Sequence, residues 1–290
     1  MDWTGIFVNA IEAGIGRDAA VIAFGGGVPG DLGGFVAASY MRGLPLVQLP
    51  TSLLAMIDSS VGGKTGVDAP AGKNLVGAFH QPQVVVADPD LLATLPDAHV
   101  RAGLAEAVKH GAIADPEYLD WIEANAGPLL AGDPECLSRL IVRSVEIKGE
   151  IVTRDETESG PRKLLNFGHT IGHAVEALSG YSLLHGEAVA IGMVEEARIG
   201  ERAGITAAGT SARLRKVLTR LGLPTSLPLE MSVEQVIDWT RTDKKSREGR
   251  VQYALIESVG VAAVGRDGRY GSAVADETVN DVLAGAGNRA

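Results

Sequence analysis

The chain has a single cysteine, Cys136, in 290 residues, which excludes a disulfide framework and any cluster of thiolate metal ligands. In its setting Cys136 reads as a small buried hydrophobe on a helix. There is no excess of positive charge: 26 Lys and Arg face 36 Asp and Glu, for a net charge of −10, which argues against nucleic acid as a partner. Local basic spots can still bind small anions. No apolar run reaches the roughly 18 residues of a membrane span. The opening MDWTGIFVNAIEAG lacks the basic flank of a signal peptide, so a cytoplasmic enzyme without a membrane partner is expected. There is no internal repeat and no complete phosphate-cradling Walker loop. SSVGGKTGV at 59–67 comes nearest, but Asp58 stands five residues before Gly63, where that loop needs its first glycine, which argues against a nucleoside triphosphatase.

What is present is an apolar fraction of 46% with 21% charged residues, the balance of a globular protein long enough for two domains. Ile6, Phe7, Ala10 and Ile11 recur at helical spacing over 4–13 and stop at Gly14. The run AAVIAF at 19–24 reads as a strand buried on both faces. GGGVPGD follows it, then a helix from about Asp31 to Tyr40, and further strands at 44–50 and 84–88. Strands alternating with helices predict a Rossmann-like α/β domain with a parallel sheet over 1–96. From 97 to 290 the pattern predicts a mostly α domain, with helices at 98–113, 116–130, 134–153, 164–178, 185–203, 209–221 and 232–242. A small hairpin at 250–265 and a short helix at 276–284 complete it.

The richest stretch is LLNFGHTIGH at 164–173, followed by LHGEA at 184–188, which gathers His169, His173 and His185 near one glycine-punctuated helical region. Two of the three, with a carboxylate from elsewhere, satisfy the three protein ligands of a catalytic zinc, and spacing by four favours His169 with His173. Glycine at 168, 172 and 186 costs helix stability and implies a backbone or ligand lying close against the segment. Gly25, Gly26, Gly27 and Gly30 follow the first strand, where backbone N–H groups can face a pyrophosphate, and Asp31 is either a helix N-cap or a ligand contact. Lys64, Lys73 and Asn74 form a polar cluster, read alternatively as a solvated basic loop. Glu106 and Lys109 are either a surface ion pair or a carboxylate ligand beside a catalytic ammonium. Lys148, Glu158, Arg162 and Asn166 crowd the approach to the histidines, and DKKSREGR at 243–250 adds a basic turn.

In this order and at these spacings, GGGVPGDLGGFVAASYMRG, QLPTSLLAMIDSSVGGKTGVD, GKNLVGAFHQP, LPDAHVRAGLAEAVKHG, IKGEIVTRDETESGPRKLLNFGHTIGHAVE, LLHGEAVAIGM and DKKSREGR closely resemble the bacterial 3-dehydroquinate synthase family over residues 10 to 285. The resemblance implies conversion of 3-deoxy-D-arabino-heptulosonate 7-phosphate to 3-dehydroquinate in the shikimate pathway, with catalytic NAD and a divalent metal, zinc or cobalt. It implies Glu106, His169 and His185 as metal ligands, which moves His173 to the substrate. The other implied substrate-site residues are Lys64, Asn74, Lys109, Lys148, Glu158, Arg162, Asn166, Lys244 and Lys245, with Arg42 reaching the substrate phosphate across a homodimer interface. NAD contacts are implied at Gly26, Gly27, Asp31, Thr51, Ser52, Asp58, Lys64, Lys73 and Thr94.

Members of that family begin with further strands and helices that carry much of the adenosine site, including a Gly-Glu-x-x-Lys loop absent here. The resemblance therefore implies an N-terminally incomplete chain with a bared sheet edge and weakened NAD binding. Asp68-Ala69 replaces a frequent Asn-His, and Ser52 a frequent threonine. The alternatives are a related cyclase that makes an inosose or valiolone, whose substrates lack the carboxylate that Arg162 and Lys148 imply, or an inactive truncated homologue.

Overall fold

The structure, a computed structural model, describes residues 3–69, 72–242, 246–247, 250–265 and 268–286. Helix α1 (Trp3–Glu12) ends just before Gly14, as its spacing requires. The apolar run after it becomes β1 (Val21–Gly25), which passes through the glycine turn directly into α2 (Gly27–Ser39). That helix starts a full turn earlier than the sequence suggests. Gly26 is its N-cap and Pro29 falls in the first turn, where a missing N–H costs nothing, so Asp31 sits inside the helix and is not its cap.

β2 (Leu46–Pro50) pairs in parallel with β1 on one side and with the short β5 (Val84–Val85) on the other, in the order β1-β2-β5. Between β2 and β5 lies a hairpin that the sequence reading took for glycine-rich loop: β3 (Lys64–Ala69) and β4 (Gly72–Phe79). Its glycines hid it, because they lower strand propensity; Gly66 and Gly77 stand directly opposite each other. Alternation along the sheet turns Ala23, Leu46 and Gln48 toward α2. Ile22 and Phe24 on the other face are 64% and 62% exposed, beside Val84 and Val86. One face of this parallel sheet is covered and the other is open, with β1 at a free edge.

After Pro96 the chain is helical: α3 (Asp97–Ala114), α4 (Pro116–Ala124), α5 (Ala126–Leu130), α6 (Pro134–Arg154), α7 (His169–Leu178), α8 (His185–Arg202), α9 (Thr210–Arg220) and α10 (Val233–Thr242). Two sequence-based spans break where the chemistry asks for it. Asn125 separates α4 from α5, and 161–166 is a 3-10 turn, so α7 begins only at His169, after Gly168 in the left-handed region. Short strands at 246–262 and 272–273 and a last helix, α11 (Asp276–Ala286), close the chain. The largest apolar cluster joins α3, α4, α5, α6, α8 and α9, and a second lies between α7, α8, α10 and α11. Among the described residues no helix is long and apolar enough to cross a membrane.

Candidate active site

α3 is buried from Ala102 to Ile113, so the polar residues of that stretch need partners within the fold. Glu106 is fully buried. Its oxygens find no well-aligned hydrogen-bond donor among the described residues; the Lys109 ammonium, one turn on, is its ion-pair partner. Beside the same carboxylate stand His169 Nε2 at 3.6 Å and His185 Nε2 at 3.4 Å. A tetrahedral zinc with ligands at about 2.0–2.2 Å requires donors spaced at about 3.3–3.6 Å, so both of these separations match edges of such a site. His173 is close too: His169, His173 and His185 each bring one ring nitrogen within 4.8 Å of the others, a set that could also hold a metal ion.

The helices meet this closely because backbone touches backbone. A Cβ on Gly186 would lie 2.0 Å from the carbonyl oxygen of Ala102 on α3, and one on Gly192 would lie 1.9 Å from the Gly168 oxygen at the head of α7. What lies against the glycine-punctuated segment is therefore helix α8 itself, and α3 lies against α8 in turn. Each metal-facing histidine is also held in one tautomer. His169 Nδ1 is 3.1 Å from the Phe167 carbonyl, and His185 Nδ1 is 3.1 Å from Glu176 Oε2; both partners only accept, so Nδ1 carries a proton in each ring, and Nε2 is the nitrogen that can offer a lone pair to a metal, in His185 once its second proton leaves.

Burial raises the Glu106 pKa, but Lys109 and the His169 ring outweigh it and hold the carboxyl well below its usual range. Burial and the Lys109 charge push His169 far down, so it is neutral. Burial also lowers His185, yet its bonds to Glu106 and Glu176 prevail and raise it to about 9.

The remaining cations line up beside this centre. Ala55–Ser59 forms one π-helical turn, which aims Asp58 at two lysines: Lys109 at 3.6 Å, and Lys148 of α6, which pairs with its carboxylate and donates to its backbone oxygen at 2.6 Å. The result is a buried chain of alternating charge, Glu106–Lys109–Asp58–Lys148. Burial lowers the Lys109 pKa, but Asp58 and Glu106 reverse the effect and the net shift is upward; for Lys148 burial wins and the pKa falls. Asp58, expected from the resemblance among the NAD contacts, thus stands among the lysines of the cleft. Lys64 pairs with Glu158, whose other oxygen accepts from Asn166. Arg162 is 1% exposed; it donates to the Gly62 carbonyl at 2.7 Å and to the Glu156 carbonyl, and its Nε has no hydrogen-bond partner among the described residues.

At the carboxyl ends of β1 and β2 the glycine turn meets the next loop: Thr51 N–H bonds Gly25 O at 2.8 Å, and the hydroxyls of Ser52 and Ser59 lie against Gly26 and Gly27. That crevice outside parallel strands, at a helix N-terminus, suits a dinucleotide pyrophosphate. Asp31 lies one turn into α2, and Thr94, itself exposed, ends the 3-10 turn Pro89–Thr94. Arg42 is exposed beyond α2 with φ of 64°, directly after Met41 with φ of 50°. Lys73 and Asn74 lie on β4. Lys244 and Lys245 fall outside the described residues.

Four functional side chains escaped the sequence reading. Glu176 holds His185. Asp155 accepts N–H bonds from Ser159, Gly160 and Arg162 at 2.9, 2.7 and 3.0 Å and so folds the loop that carries Glu158 and Arg162. Glu196, buried on α8, accepts from Gly168 and Ile171 N–H at 2.9 and 3.0 Å, supplying the cap that a glycine cannot give α7. His110 is fully buried, and burial with the Lys109 charge pushes it to about 3, so it stays neutral. Glu176 alone carried a visible signal: it stands seven residues after His169 and three after His173, on the same helical face.

Residues 2–102 match the family model described as 3-dehydroquinate synthase N-terminal, and residues 103–246 the one described as 3-dehydroquinate synthase C-terminal. The chain belongs to the 3-dehydroquinate synthase family. Curated relatives named 3-dehydroquinate synthase include one from Symbiobacterium thermophilum, 52% identical over 86% of this chain and 70% of its own length. Another, from Xanthomonas campestris pv. campestris, is 53% identical over 87% of this chain and 70% of its own length. Among solved structures, 2-deoxy-scyllo-inosose synthase complexed with carbaglucose-6-phosphate, NAD+ and Co2+ superposes with a TM-score of 0.91 at 28% identity, over 98% of this chain and 78% of that one. A 2-epi-5-epi-valiolone synthase from Streptomyces hygroscopicus subsp. jinggangensis with NAD+ and Zn2+ bound gives 0.85 at 29%, over 99% and 79%. The Rossmann-like sheet followed by a helical domain is thus the architecture of this family of cyclases and its structural neighbours.

Proposed function

We propose that this cleft converts 3-deoxy-D-arabino-heptulosonate 7-phosphate to 3-dehydroquinate and phosphate, as the 3-dehydroquinate synthase of the shikimate pathway. Alcohol oxidation, phosphate elimination, reduction and an intramolecular aldol closure follow one another in a single site, so the enzyme is a carbon–oxygen lyase. When bound, NAD takes up and returns a hydride, and zinc or cobalt supplies Lewis acidity toward the substrate's oxygens. Glu106, His169 and His185 would hold the metal, with residues 97–290 as the metal and substrate half. Residues 1–96 would serve NAD, through Gly26, Gly27, Asp31, Thr51, Ser52, Asp58, Lys64, Lys73 and Thr94.

The observation that carries this reading over an inosose or valiolone cyclase is Arg162. A fully buried guanidinium, anchored on the Gly62 and Glu156 carbonyls and near Lys148, leaves further N–H groups to grip a carboxylate, which only the heptulosonate substrate offers. Lys64, Glu158 and Asn166 form one bonded set on the same side of the cleft, suited to hydroxyls. Lys109 and His173 stand beside the metal donors, where phosphate and developing charge would lie. Asn74, Lys244 and Lys245 complete the substrate set by resemblance. Arg42 projects from two consecutive left-handed residues, the kind of strained, exposed presentation used to offer a side chain to another molecule, and we assign it to the phosphate of a second copy in a cytoplasmic homodimer. Positioning supplies much of the rate, because elimination and closure are intramolecular.

The ligand set is tested by His185→Ala and His173→Ala. The first is expected to abolish stoichiometric zinc binding, the second to keep zinc and lose turnover. Equal zinc loss in both would move the metal to the three histidines.

A further inference from the structure

We infer that Glu176 is a positioning residue of the metal centre, which selects Nε2 of His185 as the donor atom. The inference rests on the assignment of Glu106, His169 and His185 as ligands. α7 places His169, His173 and Glu176 along one face at spacings of four and seven, so the carboxylate stands over the first residue of α8, which is His185. Glu176 Oε2 lies 3.1 Å from His185 Nδ1, and Glu106 Oε1 lies 3.4 Å from Nε2 of the same ring. The imidazole is therefore strung between two carboxylates, one as partner in the outer layer and one as neighbour in the ligand set.

The two histidines are held by different means. His169 donates to the Phe167 main-chain carbonyl and is fully packed, whereas the His185 side chain is 31% exposed and depends on a side chain to choose its tautomer. Glu176 also changes the charge around a bound cation. Lys109 pairs with Glu106 and cancels it, so Glu176 supplies the negative charge that raises the basicity of His185 toward a divalent ion. With Glu176 removed, Nδ1 and Nε2 of a partly exposed ring become equivalent to water, and only one of them faces Glu106.

The test uses Co2+ alone, titrated into the metal-free full chain and followed by its visible absorption, with zinc competition against a chromogenic chelator. Glu176→Ala is expected to weaken Co2+ binding by about 10- to 100-fold and to alter the visible bands. Glu176→Gln keeps an acceptor for Nδ1–H without the charge, should fold as the wild type does, and is expected to lie between the two. His185→Ala is run beside them. If it binds Co2+ as tightly as the wild type, the ligand assignment itself fails. If it loses the metal while both Glu176 variants keep wild-type affinity and spectrum, only the role of Glu176 is overturned. A fall in the melting temperature of the metal-free variants with unchanged Co2+ affinity would likewise overturn it, since Glu176 would then only support the fold.

Discussion

Adding one methyl group at Gly186 should unmake the metal site from a distance. The new carbon would lie 2.0 Å from the Ala102 carbonyl oxygen, and side-chain Cβ atoms essentially never approach below 3.0 Å, so α8 must withdraw from α3 by about 1 Å. Both atoms are backbone or bound directly to it, so no flexible side chain can absorb the clash. Ala102 is one turn before Glu106, and Gly186 follows His185 immediately. The displacement therefore reaches the 3.4 Å separation between Glu106 Oε1 and His185 Nε2 almost undiminished. Opened to about 4.4 Å, the pair no longer spans the roughly 3.3–3.6 Å edge of a tetrahedral zinc site. Gly186→Ala is expected to weaken zinc binding at least 100-fold, about 2.8 kcal/mol at 1.4 kcal/mol per tenfold. The overpacked α3–α8 contact should cost a further ~1–3 kcal/mol of stability. Chelator competition on the metal-free protein measures the first and urea unfolding without metal the second. Zinc affinity within threefold of the wild type, with unfolding unchanged, would refute the idea that this backbone contact sets the ligand spacing.

Arg162→Lys keeps the charge but cannot reach both the Gly62 and Glu156 carbonyls and still fork onto a carboxylate. A loss of at least ~1.4 kcal/mol, tenfold in kcat/KM for the heptulosonate phosphate, is expected; steady-state kinetics showing an unchanged value would point to a substrate without that group. Asp155→Ala should cost about 1.5–3 kcal/mol at pH 7 by denaturant unfolding, through loss of bonds to a charged acceptor. Burial raises the Asp155 pKa, but the N–H groups of Gly160, Ser159 and Arg162 outweigh it and depress it, so this stability is fully present above the unfolded value of about 3.9 and disappears as pH falls through the lower folded value. The difference between wild type and variant should accordingly shrink below about pH 4; a gap that stays constant to pH 2 would exclude the linkage.

Much of this fold could be read from spacing alone. Helices α3, α6, α8, α9 and α10 follow the apolar periodicity within a residue or two, because each buries a single stripe or is buried on every side, whereas the 116–130 span splits at Asn125 and α7 starts five residues late. What could not be read follows from tertiary contact. The β3–β4 hairpin forms from a glycine-rich stretch because the partner strand and α2 make it possible. The early start of α2 depends on a proline tolerated only in a first turn. At the site, four-residue spacing favours His169 with His173, whereas the buried carboxylate that meets His169 and His185 comes from another helix, and no local pattern carries that information. Resemblance to the family supplied Glu106. The pairing of Asp58 with Lys109 and Lys148 lay beyond both, since it depends on a π-helical turn aiming a carboxylate across to α6.

Three donors on α3, α7 and α8 also impose an order of events on synthesis. Glu106 and His185 are 79 positions apart in the chain; at about 5–20 residues per second, roughly 4–16 seconds separate their emergence from a ribosome. During that interval α3 carries an acidic side chain destined for a dry interior without α8, the helix that brings His185 to it. Closing so long a loop delays the reward for burying that charge, so metal uptake is expected to be the last event of folding. Refolding in the presence of zinc and a zinc-sensitive dye tests this directly: uptake should coincide with the slowest phase of the intrinsic tryptophan signal, and uptake that precedes it would show that two donors alone can recruit the ion.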